Sequence, residues 1–452
     1  MVVFSWWNAG ELMVRSWSGD GSCDHGFMLK RVEERGPRVV AAESFGPAAG
    51  VTRRAADRIR AGDLWVYRSD VETLVPPVGS EEVVGGSLVT VMDGRGIPWG
   101  TGLYSSASQI AVRMVSAEVG LTREAYLAQL RERVLTALML RDEVAPVSGE
   151  NDACRLVFSE ADDLPGIVAD RYSDLVILQL LTQGTAEDDV RGVLGEVIRE
   201  RLRPKTIVER PDPKVRELEE LHLPPANGLI YSGEDSPKLH TVFTINGLRF
   251  HYDASAGQKT GAFLDQRLNY AAAARYARGV ALDVCTYQGG FALHMARRCD
   301  RVTGVDASRS ALEVADRNLQ LNVGLQAAVD WIEADAFELL REYEANGERY
   351  DTIVLDPPAF AKSKRAAEGA MRGYKELNLR AMKMLSVGGI LVTCSCSHHV
   401  GLGEFTESVA AAASDAGRRV QVLEVRGAAP DHPAVLTLPE TSYLKCLICR
   451  VG

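Results

Sequence analysis

The sequence predicts an α/β protein whose C-terminal half is a doubly wound sheet, preceded by a β-rich module and an α+β middle region. Three observations predict it. First, short uninterrupted apolar runs at 280–284, 301–305, 352–355 and 389–393 alternate with helical patterns such as 291–298 and 311–321. Such runs belong to a parallel sheet covered on both faces, because a half-exposed strand would alternate apolar and polar residues. Second, residues 51–116 read as short strands and tight turns, with Asp93-Gly94 between apolar alternations as a hairpin signal. Third, Leu127, Leu130, Val134 and Leu138 share one stripe of an amphipathic helix over 121–141. Strands at 155–158, 166–170 and 175–181 and a helix near 186–201 follow it.

Taken in order, residues 1–50 lack sustained periodicity and are expected to form a poorly ordered leader. Residues 51–116 make the β-rich module, with strands at 87–92, 99–104 and 110–115. The α+β region runs over 117–240. The doubly wound domain covers 241–452 and closes with a β pair at 420–425 and 443–451. At 452 residues the chain exceeds one ordinary core, so several domains are expected.

Composition narrows the class. Hydrophobic residues make up 46% and charged residues 25%, as in soluble globular proteins. No apolar run reaches the roughly eighteen residues of a membrane span. The apolar N-terminus is broken by Glu11 and Arg15 and carries no cleavage site, so it is not read as a signal peptide. Eight cysteines over this length are too sparse for a disulfide framework and are expected to be reduced in a cytoplasmic protein. The net charge of −10 argues against a uniformly basic nucleic-acid surface, but phosphate contacts are local. Two basic runs stand out: Arg53, Arg54, Arg58, Arg60 and Arg68, and Lys362, Lys364, Arg365, Arg372, Lys375, Arg380 and Lys383. Each is either a solvated helix face or a phosphate-contacting surface.

In a doubly wound sheet, ligands sit beyond the carboxyl ends of the strands. Asp283 ends the first such strand, and the turn through Tyr287, Gly289 and Gly290 leads into a helix. Asp306 ends the next strand, about twenty residues on, where an acid can hydrogen-bond a ribose. Asp335 follows the third. The turn lacks a full G-x-G-x-x-G, which disfavours a dinucleotide, whereas acids at three successive strand ends suit S-adenosyl-L-methionine. Asp356-Pro357-Pro358 ends the fourth strand, as a stiff turn or as a carboxylate beside the methyl donor. Cys396 follows the fifth, among Ser395, Ser397, His398 and His399, so it is expected beyond the buried strand as a nucleophile. Cys394 is assigned to packing. The spacing of Cys394, Cys396, His398 and His399 fits no familiar zinc pattern, and no metal is expected.

Several motifs together resemble the ribosomal RNA large subunit methyltransferase I family. They are Phe263-Leu264-Asp265-Gln266-Arg267, Tyr287-Gln288-Gly289-Gly290-Phe291, Asp356-Pro357-Pro358-Ala359-Phe360, Arg372-Gly373-Tyr374-Lys375 and Ser395-Cys396-Ser397. Outside that half, Tyr104 to Ile110, Asp163-Leu164-Pro165-Gly166-Ile167 and Asp431-His432-Pro433 also match. The resemblance covers roughly residues 51–452. It implies an N-terminal PUA RNA-binding domain, an α+β middle domain and a C-terminal Rossmann-like class I methyltransferase domain. It also implies S-adenosyl-L-methionine as cofactor, large-subunit (23S) rRNA as partner and 5-methylcytosine as product, with Gln266 and Arg267 at the cofactor's methionine end. One departure matters: many RNA 5-methylcytosine enzymes carry a second cysteine where this chain has Ala359, so the base that removes the C5 proton is open. The rival readings are a base N-methyltransferase, because Asp-Pro-Pro-Ala-Phe is similar to loops that bind an exocyclic amine, and a non-catalytic RNA-binding assembly factor.

Overall fold

The computed structural model describes residues 46–210, 212–255, 262–360 and 367–452. The expected leader therefore lies outside the described residues, apart from its last few positions.

The first sheet is built from β1 (Ala48–Val51), β2 (Trp65–Tyr67), β3 (Val71–Val75), β4 (Leu88–Asp93), β5 (Pro98–Tyr104) and β6 (Ile110–Ser116), with α1 (Arg53–Arg60) between β1 and β2. Its order is β2-β6-β5-β4-β1-β3, antiparallel except for the β1–β4 pair. The Asp93-Gly94 turn forms as expected: Asp93 Oδ1 accepts from the amides of Arg95 and Ile97 at 2.9 and 3.0 Å, and Gly96 takes φ 74°. The sheet and α1 enclose a small core around Val51, Ala55, Val66, Val89 and Val112.

Part of the basic run in and after α1 is bonded within this module. Arg54 and Arg58 pair with the buried Asp70 at 2.7 and 3.0 Å, Arg58 also pairs with Asp63, and Arg68 donates to the carbonyls of Ser105 and Ser108. Much of the run is therefore committed within the module.

The middle region starts with α2 (Arg123–Val144), capped by Thr122, whose side chain accepts from the Ala125 amide. Strands β7 (Ala153–Phe158), β8 (Ile167–Tyr172), β9 (Leu175–Leu180), β10 (Thr206–Glu209) and β11 (Leu229–Ser232) form a five-stranded sheet in the order β11-β10-β9-β8-β7. Helix α3 (Asp188–Leu202) packs with α2 on one face, burying Leu130, Val134, Leu138, Leu194 and Ile198, and α4 (Pro213–Glu219) precedes β11. A two-stranded hairpin, β12 (His240–Ile245) and β13 (Leu248–Asp253), turns at Asn246-Gly247, both at positive φ. Asn-Gly meets that demand because its turn needs two left-handed residues.

The last sheet has seven strands: β14 (Val280–Val284), β15 (Arg301–Asp306), β16 (Ala328–Glu333), β17 (Tyr350–Leu355), β18 (Leu385–Ser395), β19 (Val420–Arg426) and β20 (Lys445–Val451). Their order is β16-β15-β14-β17-β18-β20-β19; the first five run parallel, and β20 is antiparallel to both neighbours. Side chains alternate between two cores. Ala281, Val354, Val392 and Cys394 face one core with α5 (Arg267–Tyr276) and α6 (Gly290–Met295), whereas Leu282, Val284, Ile353 and Leu391 face the other. Helix α7 (Arg309–Leu321) follows β15, while α8 (Ala336–Ala345), α9 (Ala367–Met384) and α10 (Leu402–Asp415) line the second core. The continuous apolar runs are explained by this two-sided burial. The expected closing pair exists, with β20 inserted between β18 and β19.

Candidate active site

The carboxyl ends of five adjacent parallel strands carry Asp283, Asp306, the turn before α8, Asp356 and Cys396. The edge is on one side of the sheet because all five strands run the same way, and β14 lies at its topological switch point.

Asp283 is fully buried. Its Oδ2 accepts from Thr286 Oγ1 at 2.5 Å and from the Ala292 amide at 2.8 Å, whereas Oδ1 has no partner among the described residues. Burial pushes its carboxyl up to about 7, outweighing those two donors. The turn after it is strained: Cys285 and Tyr287, neither a glycine, take φ 63° and 52°. The Tyr287 amide donates to Asp306 Oδ2 at 2.9 Å, and Ser308 donates to Asp306 Oδ1, so the two strand ends are tied together. Gly289 and Gly290 are closely packed by neighbouring side chains. A Cβ at Gly289 would lie 2.9 Å from Trp331, and one at Gly290 would lie 2.5 Å from the Tyr270 ring. Close protein packing demands these two glycines. Asp335 is exposed and caps α8, its Oδ1 accepting from the amides of Phe337 and Glu338.

Asp356 is half-buried just past β17. Gln266 Nε2 donates to its Oδ1 at 3.0 Å, and Asn269 in turn fixes Gln266 through a 2.7 Å bond to Oε1. Burial first, then the nearby Asp265 and Asp283, push the Asp356 carboxyl up to about 8. In that protonated form it both donates and accepts, a combination a carboxylate lacks.

Cys396 lies one step past β18. Ser395 and Ser397 are fully buried on one side, where the Tyr374 hydroxyl bonds both at 2.9 and 2.8 Å. Strand alternation therefore turns Cys396 the other way, half-exposed, with Sγ 3.9 Å from the Pro357 carbonyl. The thiol and the Asp-Pro-Pro loop meet at one place. Cys394 is fully buried opposite Cys446 and in hydrogen-bond contact with Asp356; burial pushes its thiol well up, which fits packing rather than nucleophilic attack.

Arg267 is the exception among the expected site residues. Its guanidinium is buried and bonded to Asp431 Oδ1 at 3.1 Å. Asp431 also accepts from the Arg155 amide, and its carbonyl receives Arg141, which makes a bidentate pair with Asp162 at 2.6 and 2.8 Å. Arg267 therefore locks the middle region to the last domain. The Gln266–Asp356 bond, the Tyr374 clamp and the 2.5 Å bond from the Tyr443 hydroxyl to Asp265 have no local signature, although Asp265, Gln266 and Tyr374 lie in motifs that carry the family resemblance. Lys362, Lys364 and Arg365 lie outside the described residues. Farther along that run, Arg372, Lys375, Arg380 and Lys383 all pair with acids, as a solvated helix face does.

Among the described residues, no group of His, Cys, Asp or Glu could hold a metal ion, and no helix is long and apolar enough to cross a membrane. The edge offers one buried carboxylate oxygen without a partner, a surface carboxylate and a thiol beside a protonatable acid. A small cation and a flat heterocycle could be held there together.

Comparison with known proteins agrees. A PUA-like domain matches residues 50–117, and an S-adenosylmethionine-dependent methyltransferase family matches residues 220–449. Ribosomal RNA large subunit methyltransferase I of Shigella dysenteriae serotype 1 is 37% identical over 368 residues, spanning 81% of this chain and 90% of that protein. The protein of the same name from Photobacterium profundum is 38% identical over 390 residues, spanning 86% and 95%. Among solved structures, SMU.776, assigned as a methyltransferase and crystallised with SAH, superposes with a TM-score of 0.72 at 17% identity over 89% of this chain and 99% of that one, a likeness of fold. With a PUA-like domain ahead of a Rossmann-like domain that uses S-adenosylmethionine, this chain belongs to the ribosomal RNA large subunit methyltransferase I family.

Proposed function

We propose that this protein methylates C5 of a cytosine in large-subunit rRNA, in the cytoplasm, through a covalent bond from Cys396 to C6 of the ring. The observation that carries this reading is the seating of Cys396 Sγ against the Pro357 carbonyl, beside Asp356 and on the same sheet edge as Asp283 and Asp306. S-adenosylmethionine, when bound, supplies the methyl group. Asp283, whose buried Oδ1 lacks a partner, would hold its cationic amino acid end, and Asp306 its ribose. Asp335 keeps Oδ2 for the adenine, while Oδ1 caps α8. Gln266 acts on Asp356.

Cytosine C5 is a weak nucleophile until C6 is attacked. The Cys396 thiolate adds to C6 while Asp356, protonated, donates to N3 and accepts from the N4 amine. Electron density then rises at C5, which takes the methyl group. Loss of the C5 proton and expulsion of the thiolate restore the ring.

The test is RNA carrying 5-fluorocytosine at the target. Fluorine cannot leave as a proton, so a covalent complex should accumulate that requires both Cys396 and the methyl donor. Cys396→Ala should lose methylation and keep cofactor binding. Methylation persisting in that variant would transfer the reading to base N-methylation, which needs no thiol.

A further inference from the structure

Lys445 opens β20 directly across from Ser395, the residue before Cys396. It is 6% exposed. Its Nζ donates to the carbonyls of Ser397 and Tyr443, each at 2.7 Å, and it forms no ion pair with a carboxylate among the described residues. A buried ammonium bonded to carbonyls has its hydrogen bonds but no carboxylate in contact among the described residues, a costly state unless an anion forms nearby. A candidate anion is built into the same turn. Ser397, which seats the ammonium, is the chain neighbour of Cys396.

We infer that Lys445 is a positioning residue that holds Cys396 as a thiolate, its buried positive charge delivered through the Ser397 turn. The catalytic use of that thiolate rests on the function proposed above.

The surroundings of the thiol support the pairing. Tyr374 of α9, on the Ser395 and Ser397 side, and Tyr443 ahead of β20 lie near it, and burial raises both hydroxyls, so they stay neutral near neutrality. His398 is held below its ordinary value by burial, and Lys445 adds to that effect. Glu404 of α10 acts on Lys445, Glu440 on His398 and Asp265 on Tyr443, Asp356 precedes the Pro357 carbonyl that meets the thiol, and His399 is exposed. Burial pulls Lys445 down to about 8, with Cys396 acting in the opposite sense ahead of Glu404. As the thiolate forms, the S–H proton passes to solvent and Lys445 keeps its own. When sulfur is later expelled from C6, it leaves as the same paired thiolate, so the cation assists both addition and release.

The test is iodoacetamide alkylation of Cys396, followed by peptide mass spectrometry from about pH 5 to about pH 10, on the full chain. Wild type should titrate below the ordinary thiol value of about 8.5. Lys445→Gln keeps a donor for the two carbonyls and removes the charge. Its midpoint should rise by about one unit, slowing alkylation near neutrality about tenfold. Lys445→Arg should restore the low midpoint. A wild-type midpoint at or above about 8.5 would overturn the inference whether or not the variants fold, and so would a midpoint unmoved by Lys445→Gln. The nucleophile is tested separately. A Lys445-dependent midpoint with an active Cys396→Ala protein would leave the pairing standing and remove its catalytic use.

Discussion

Two groups of buried or half-buried carboxylates sit in the last domain, and the chain treats them in opposite ways. Asp431 is surrounded by donors. Burial alone would raise its carboxyl, but His432 and Arg267 hold it well below the usual range. Asp283 and Asp356 are just as enclosed on their protein side, yet neither receives a guanidinium. Both are pushed up, to about 7 and about 8. The difference separates structural from chemical carboxylates. Where an acid only joins two regions, an arginine completes it within the protein. At the candidate site, no guanidinium completes the acid within the described residues.

The comparison would break most visibly at Asp356. Asp356→Asn should lower single-turnover methylation on the order of 10²–10⁴-fold, because a positioned proton donor is lost. The same change should not destabilise the fold. Native Asp356 keeps its proton to about pH 8, whereas the unfolded chain loses it near the ordinary value of 3.8. Wild-type stability from this group is therefore full below pH 4 and declines towards pH 8. Asparagine cannot ionise, so thermal unfolding of the variant should gain on wild type as pH rises. A constant difference would mean that Asp356 is not protonated in the native protein.

Asp431→Ala should show the reverse pattern. Arg267 would be left buried without its counter-charge, and the Arg155 amide would lose its acceptor. A loss of about 3–5 kcal/mol in urea unfolding is expected, as for other buried pairs broken on one side. Its pH dependence also runs the other way. A carboxyl held below its unfolded value contributes fully above about pH 4 and fades in acid. A loss under about 1 kcal/mol would make the Asp431 network a surface-grade interaction.

The smallest effect sharpens the reading of Asp283. If its unpartnered oxygen receives the cationic end of the cofactor, binding near pH 7 should release about half a proton, since a group titrating there is half ionised before binding and ionised after it. Calorimetry in buffers of different ionisation enthalpy measures this release directly. Release should vanish in Asp283→Asn and at pH 9. Binding without proton exchange would assign the cofactor's charge to another partner.

Local patterns carried much of the architecture. The parallel strands were readable because two-sided burial leaves an unbroken apolar run, as at Val280–Val284 and 352–355. The Asp93-Gly94 turn was readable because its backbone demands particular residues. Strand-end positions follow from those runs, so the sequence alone places Asp283, Asp306, Asp356 and Cys396 on one edge. Other features have no local signature. The insertion of β20 between β18 and β19 depends on pairing across the sheet, and antiparallel strands of either order would read alike.

Residue types and their spacing along the chain were enough to decide which elements form, which strand ends carry acids and which segment carries the exposed thiol, because helix and strand periods are properties of neighbouring residues. Which charged groups complete one another was decided only by the tertiary structure. Arg267 meets Asp431, Gln266 meets Asp356, and Lys445 reaches across from β20 to the carbonyl of Ser397, next to Cys396 in the chain. Adjacent residues of one motif, Gln266 and Arg267, turn towards different partners. The physical reason is that charge is satisfied by distance in space, and the packing of the sheet, rather than position in sequence, sets that distance.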